Sequence, residues 1–298
     1  MRATIQLCTY NRAKLLERVL ECCLDQTLPA DVYEVVVVDD GSSDDTPAVL
    51  ARAAQRATCT LTVIRQANSG LAAGRNAGIA AARGARIAFI DDDVLPLPNF
   101  LEEHLRSGDA KPGNIVRGGA IEVEDIDELP VPLWSIRNYS ANYFWTTNVS
   151  VPLETIRKIG AFNTSFAEYG WEDIDVGLRL RAIGVKATFN AKALVFHVKP
   201  PIYSADRDKT LAQARAKART AIALTRLHPG WRTALATGIN PMQRGLASLR
   251  RRFHAAQMLG RRLSQADAQR PLTRSQSATL HALANEAYYE ELERALKA

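Results

Sequence analysis

Short apolar runs alternate with stretches of helical periodicity through the first third of the chain. Ala3 to Cys8 is apolar and reads as a buried strand, and Ala13 to Leu24 places Leu15, Leu16, Val19, Leu20 and Cys23 on one helical face. Val35-Val36-Val37-Val38 is a β-branched run of the kind buried on both faces in a central parallel strand. A helix from the Thr46-Pro47 start to about Arg56 follows, then a strand at Leu61 to Arg65, a helix at Leu71 to Ala82 and a strand at Arg86 to Ile90. This βαβαβαβ order with short connections predicts an α/β fold, a mostly parallel central sheet with helices on both faces.

The middle of the chain is less regular. Strands are expected at Ile115 to Val123, Asn142 to Val151, Val185 to Phe189 and Ala193 to His197, and helices at Pro152 to Ile159 and Glu172 to Ile183. An acidic loop spans Glu124 to Pro132. Pro200-Pro201 breaks the pattern, so the expected organisation is an α/β domain over 1–200 and a helical extension over 201–298, with helices at 205–227, 242–264 and 273–297.

Charge sharpens that division. Residues 1–198 hold 20 Lys+Arg and 25 Asp+Glu, whereas residues 199–298 hold 18 and 7. With 298 residues, 47% hydrophobic and 23% charged, the chain is globular and long enough for one large α/β domain with an appendage. No apolar run approaches the roughly 18–20 residues of a membrane span, and the N-terminal segment does not resemble a signal peptide, so a cytoplasmic protein is expected. Cys8, Cys22, Cys23 and Cys59 lack the spacing of a disulfide or zinc framework.

The candidate chemistry lies where strands end, the edge at which open α/β sheets bind ligands. Thr9-Tyr10-Asn11-Arg12, Asp39-Asp40-Gly41-Ser42 and Asp91-Asp92-Asp93 should therefore converge on one crevice. Three adjacent carboxylates repel one another unless a cation sits among them, and Asp91 and Asp93 point the same way from a strand end. Hard divalent ions such as Mg²⁺ or Mn²⁺ bind such oxygens and bridge to phosphates. Gly70 to Gly78 opens a helix whose start favours anions, and Arg75 adds a charge able to pair with a diphosphate. There is no P-loop, and no strand-anchored G-x-G-x-x-G. Glu172 and Asp173 occupy the first turn of a helix, suited either to its dipole or to a base beside an acceptor hydroxyl.

In this order the segments resemble the inverting nucleotide-sugar glycosyltransferases of family 2, which have the Rossmann-like GT-A fold. The resemblance rests on Thr9 to Arg12, Val38 to Asp44, Gly70 to Asn76, Asp91 to Asp93, Gly160-Ala161-Phe162 and Glu172-Asp173, and covers about residues 2–200. It implies a metal-dependent transferase of the hexosyltransferase type, active in polysaccharide biosynthesis. Thr9, Asn11, Asp40 and, with it, Asp39 would hold the donor's base and ribose. Arg75, Asp91 and Asp92 would lie along the donor. Asp93, with Asp91 and His197, would hold Mn²⁺ or Mg²⁺, and Asp173 would be the catalytic base. Trp145, Asn148, Trp171 and Glu172 are candidates for the acceptor side.

The implied partners are a nucleotide-diphosphate sugar and a glycan or lipid-linked acceptor. A Q-x-x-R-W motif is absent, so transfer of a single sugar is expected. Arg250-Arg251-Arg252 and Arg261-Arg262, with Phe253, Met258, Leu259 and Leu263, form a basic amphipathic pattern that suits either peripheral contact with an anionic membrane or a helical cap. Two other readings compete. A sugar-nucleotide pyrophosphorylase would carry a Gly-rich segment with Arg or Lys where Thr9 to Arg12 stand. A nucleic-acid-binding protein using the basic tail would lack the acidic front, so no nucleic acid is expected.

Overall fold

The computed structural model describes residues 1–166, 168, 170–252 and 269–297. The chain forms two compact units, Met1–Ala167 with Glu172–Pro200, and Glu168–Trp171 with Pro201–Ala298.

The first unit is built on a mixed sheet with strand order β3-β2-β1-β4-β7-β6-β8-β5. Its N-terminal half comprises β1 (Ala3–Thr9), α1 (Ala13–Leu24), β2 (Tyr33–Asp39), α2 (Thr46–Arg56), β3 (Thr60–Arg65), α3 (Leu71–Ala81) and β4 (Arg86–Phe89). All three pairings among these strands are parallel. The remainder comprises β5 (Val94–Pro96), α4 (Phe100–Ala110), β6 (Ile115–Val123), β7 (Val149–Pro152), α5 (Leu153–Lys158), α6 (Glu172–Ala182) and β8 (Ala187–Val198). Here β6 pairs β8 in parallel, while β7 pairs β4 and β6, and β5 pairs β8, antiparallel.

The two-residue period of β4 shows how the sheet is covered. Ala88 and Ile90 belong to a core with Leu16, Leu20, Val35, Val37 and Phe100, on the α1, α2 and α4 side. Ile87 and Phe89 point the other way, into a core with Ile79, Phe144, Phe162, Val176 and Leu180. Both faces are thus buried, which explains the unbroken valine run of β2, every residue of which is buried.

Two expectations need correction, and one strand was not expected. Asn142 to Val151 is not one strand: only Val149–Pro152 extends, because the side chains of Thr146, Thr147 and Asn148 are drawn into hydrogen bonds with other segments. The two short strands after Gly184 are a single strand, β8, and a register irregularity between Arg117 and Gly119 of β6 accommodates it. Val94–Pro96, assigned no element from the sequence because Pro96 masks strand character, is an edge strand.

The second unit holds α7 (Arg207–Leu227), α8 (Trp231–Ala236), α9 (Pro241–Arg252) and α10 (Arg274–Lys297). Its core includes Ala218, Ile222, Ala247, Tyr289 and Leu292. Within it, the Arg219 guanidinium donates to Glu168 and Glu291. The continuation of the expected 242–264 helix past Arg252, with Phe253, Met258, Leu259, Arg261, Arg262 and Leu263, lies outside the described residues. No described helix is long and apolar enough to cross a membrane.

Candidate active site

The carboxyl ends of β1 and β2 lie side by side, with Thr9 paired to Asp39. The loops beyond them are laced by side chains. The Asn11 backbone N–H donates to Ser42 Oγ (2.9 Å), and the Ser43 N–H donates to Asn11 Oδ1 (2.8 Å). Asn11 adopts φ +52°, a value that asparagine tolerates better than most residues. Gly41 is required where it stands: φ is +84°, and a Cβ would lie 2.9 Å from the Asn68 backbone nitrogen.

The two acidic residues of β2's end do different work. Asp40 accepts from the Gln66 amide (2.7 Å), from the Ser69 N–H (2.9 Å) and from the Gly70 N–H (3.0 Å), which fixes the approach to α3. Asp39 is 1% exposed, and its Oδ1 accepts the Ser42 N–H (2.8 Å). Its Oδ2 makes no hydrogen bond among the described residues, although Arg65 Nε is 3.7 Å away. An open cleft of about 330 Å³ lies beside them, lined by Thr9, Tyr10, Arg12, Asp40, Asn68, Gly70 and Asp92 among others.

Of the aspartate triplet, Asp92 lines this cleft, and each of the three has its own partners. Asp91 accepts from Arg75 Nη2 (3.0 Å) and Thr147 Oγ1 (3.0 Å). Asp92 accepts from Thr9 Oγ1 (2.9 Å); burial raises its pKa to about 6 despite the Arg12 charge and that hydrogen bond. Asp93 Oδ2 accepts from Arg12 Nη1 (3.1 Å), and Oδ1 lies 3.5 Å from His197 Nε2. Burial pushes the Asp93 pKa up, but contact with His197 and Arg12 outweighs it and the net shift is downward. The strand geometry makes the His197 contact: β5 pairs Val94 with His197, and the Val198 N–H donates to the Asp93 carbonyl (2.8 Å).

Arg75 carries the connection to α6. It is 3% exposed, donates through Nη1 to Glu172 Oε1 (3.1 Å) and through Nη2 to Asp91 and Thr146 Oγ1 (2.7 Å), and lies over the Phe162 ring. Its guanidinium is therefore committed to protein groups, and its influence on a ligand runs through Asp91 and Glu172. Asp173 follows Glu172 in the first turn of α6. Burial, and then the Glu172 charge, raise its pKa to about 7, with Arg75 opposing them. A carboxylate so tuned suits proton abstraction near neutral pH.

Asp93 and His197 are the residues here that could hold a divalent cation. Asp93 Oδ1 is buried, has no hydrogen-bond partner among the described residues and faces His197 Nε2 at 3.5 Å, and a carboxylate with an imidazole suits Mn²⁺ better than an all-oxygen ion such as Mg²⁺. Among the described residues no group of three His, Cys, Asp or Glu side chains forms a ready cage. Asp91, with both oxygens already accepting, stands outside the pair. The fit is to an ion held jointly by the protein and oxygens of a bound ligand.

The four acceptor candidates separate. Glu172 lies in the site. Trp145 packs its ring 6.3 Å from that of His197. Asn148 is 1% exposed, with its amide bonded to His104 Nε2 and to the carbonyls of Gly119 and Ala193. Trp171 belongs to the second unit, where its indole N–H donates to the Lys217 carbonyl (2.8 Å). Arg12, in a segment expected at the crevice but given no role there, and Thr146 and Thr147, not expected at all, also belong to the site. Arg12 was detectable as the cation closing the first polar strand end; the threonines carry no signal before folding.

Residues 4–156 match the family described as glycosyl transferase family 2, and the chain belongs to that family. A validoxylamine A glucosyltransferase of Streptomyces hygroscopicus subsp. jinggangensis is 28% identical over 222 residues, covering 62% of this chain and 52% of that protein. A chondroitin synthase of Pasteurella multocida is 25% identical, covering 65% of this chain and 24% of that protein. The chain spans about half the length of the validoxylamine glucosyltransferase. Among solved structures, the mannosyltransferase PcManGT of Pyrobaculum calidifontis, in complex with GDP-Man and Mn²⁺, has a TM-score of 0.64 at 19% identity and covers 99% of this chain and 86% of its own. S. aureus TarS 1-349 in complex with UDP-GlcNAc has a TM-score of 0.57 at 16% identity, covering 100% and 92%. The fold is therefore GT-A.

Proposed function

We propose that this chain is a metal-dependent, inverting glycosyltransferase that moves one sugar from a nucleotide-diphosphate donor to a hydroxyl of a glycan or lipid-linked glycan. The observation that carries this reading is the Arg75 bridge, which joins Asp91 at the end of β4 to Glu172 at the start of α6. The nucleotide sugars held by PcManGT and TarS are consistent with it.

In this reading the donor's nucleoside occupies the cleft between Thr9, Asp40 and Gly70, with Asp39 and Asn11 ordering the loops around it. Asp93 and His197 would hold a divalent ion, Mn²⁺ in preference to Mg²⁺, which when bound supplies positive charge to the departing diphosphate. Asp173 accepts the proton of the acceptor hydroxyl as that oxygen bonds to the sugar's C1 and the bond from C1 to the diphosphate oxygen breaks. One displacement needs no protein nucleophile and inverts the anomeric centre. Glu172, held by Arg75, lies beside Asp173 and helps raise the proton affinity of that carboxylate.

A panel of nucleotide sugars, each incubated with the protein and Mn²⁺, tests the reading. Release of nucleoside diphosphate from one donor, lost on chelation, is expected. Proton NMR of the glycosylated product should show the anomeric configuration opposite to the donor's. Retention of configuration, or no turnover of any donor across a panel of acceptors, would overturn it.

A further inference from the structure

The second unit has a surface that the transferase reading does not use. Residues 209–265 contain twelve Lys+Arg and no Asp or Glu. Within the described part of that stretch, six large apolar side chains face solvent in 23 residues. Leu227 is 50% exposed, Trp231 71%, Leu235 48%, Met242 67%, Leu246 50% and Leu249 52%. Single exposed leucines are ordinary on any protein, whereas a series of this kind marks an interaction surface.

The helices explain why these side chains do not belong to the unit's own core. At about 100° per residue, Met242, Leu246 and Leu249 fall within roughly 60° of one another on α9. Ala247, well away from that stripe, is the α9 residue that joins the core with Ala218, Ile222, Tyr289 and Leu292. On α8, Trp231 and Leu235 are one turn apart, and Arg232 lies over the Trp231 ring. Helix α9 therefore turns a small residue inward and its large apolar residues outward.

We propose that the exposed apolar side chains of α8 and α9 in the second unit dock on an anionic lipid bilayer. Apolar stripes carrying a tryptophan and flanked by arginines, in a stretch free of acidic groups, match the headgroup boundary, where rings and alkyl chains enter the acyl region and guanidinium groups meet phosphates. A second copy of this chain fits poorly, because a symmetric contact would set the same Arg-containing α8 and α9 segments, which hold no Asp or Glu, against each other. A nucleic acid would use the arginines and leave the Met242, Leu246 and Leu249 stripe in water. The proposal stands independently of the transferase reading.

Flotation of the full chain with lipid vesicles, without substrate, tests it. The protein should float with phosphatidylcholine vesicles containing phosphatidylglycerol, not with phosphatidylcholine alone, and added salt should weaken the binding. The triple variant Met242→Ser, Leu246→Ser, Leu249→Ser should lose binding on the order of tenfold or more. Trp231→Ser alters a side chain that is mostly in water, so it keeps the test valid should the triple variant fail to fold; it too should bind more weakly. No flotation at low salt would overturn the proposal, as would unchanged binding by Trp231→Ser. So would light scattering in which the chain self-associates through these residues in place of binding vesicles, or an electrophoretic shift with RNA that outcompetes vesicles.

Discussion

Arg75 Nη1 and Nη2 reach Glu172 and Asp91 at 3.1 and 3.0 Å, so one buried guanidinium joins residues 81 positions apart in the chain. The bridge carries the charge balance of the site. Its removal leaves two carboxylates facing each other and Asp173. Arg75→Ala should therefore cost about 3 kcal/mol of stability, as breaking a buried ion pair does, measured by urea unfolding. Turnover should fall by roughly 100-fold or more, given the sensitivity of catalysis to small displacements. Arg75→Lys should recover little, because one ammonium cannot match the forked contacts.

Asp93 and His197 are expected to act together towards a cation. Asp93→Ala and His197→Ala should each weaken Mn²⁺ binding by at least tenfold, since even outer-shell partners of a metal contribute about 10–100-fold. Titration calorimetry or the Mn²⁺ EPR signal in the presence of nucleoside diphosphate reads this directly. Asp91→Ala should disturb the Arg75 bridge more than the cation.

Asn148 should behave as a scaffold residue. Its amide serves His104 and the carbonyls of Gly119 and Ala193, and burial holds the His104 pKa down at about 3, so the imidazole is neutral. Asn148→Ala should cost about 1–3 kcal/mol, because it strands buried polar groups. The KM for the acceptor should stay within about twofold, as loss of stability without loss of an acceptor contact requires.

The raised carboxylates give a pH dependence of definite sign. Asp173 binds its proton more tightly folded than unfolded, so between about pH 4 and 7 the native state holds more protons and stability falls as pH rises. Asp92, raised to about 6, adds to the same trend. In the absence of metal and donor, Asp173→Asn should gain melting temperature relative to the parent as pH increases across that window. Calorimetric scans at matched ionic strength measure the difference.

Much of this site was legible in the sequence because its parts sit at strand ends. The valine run of β2 and the apolar run before Asp91 announce buried parallel strands, and a polar segment after each has only one edge to occupy. The βα alternation then places Thr9, Asp40 and Asp92 together. What the sequence hid depends on tertiary contacts. Val94–Pro96 has too few residues to show a period, yet its pairing with β8 is what sets His197 beside Asp93. Thr146 and Thr147 lie in a segment whose β-branched residues suggest a strand, while their hydroxyls answer to Arg75 and Asp91. Arg75 pointed to an anion, and the anions turned out to be the protein's own carboxylates.

The most direct test is the Asp173→Asn variant, assayed side by side for transfer and for donor binding with Mn²⁺. The amide keeps the shape and cannot accept the proton. Transfer should fall by about 10²–10⁴-fold, the range that general-base catalysis contributes, while the donor's Kd stays within about threefold. Near-parental turnover by this variant would contradict the assignment of Asp173 as the base and, with it, the reading of the site.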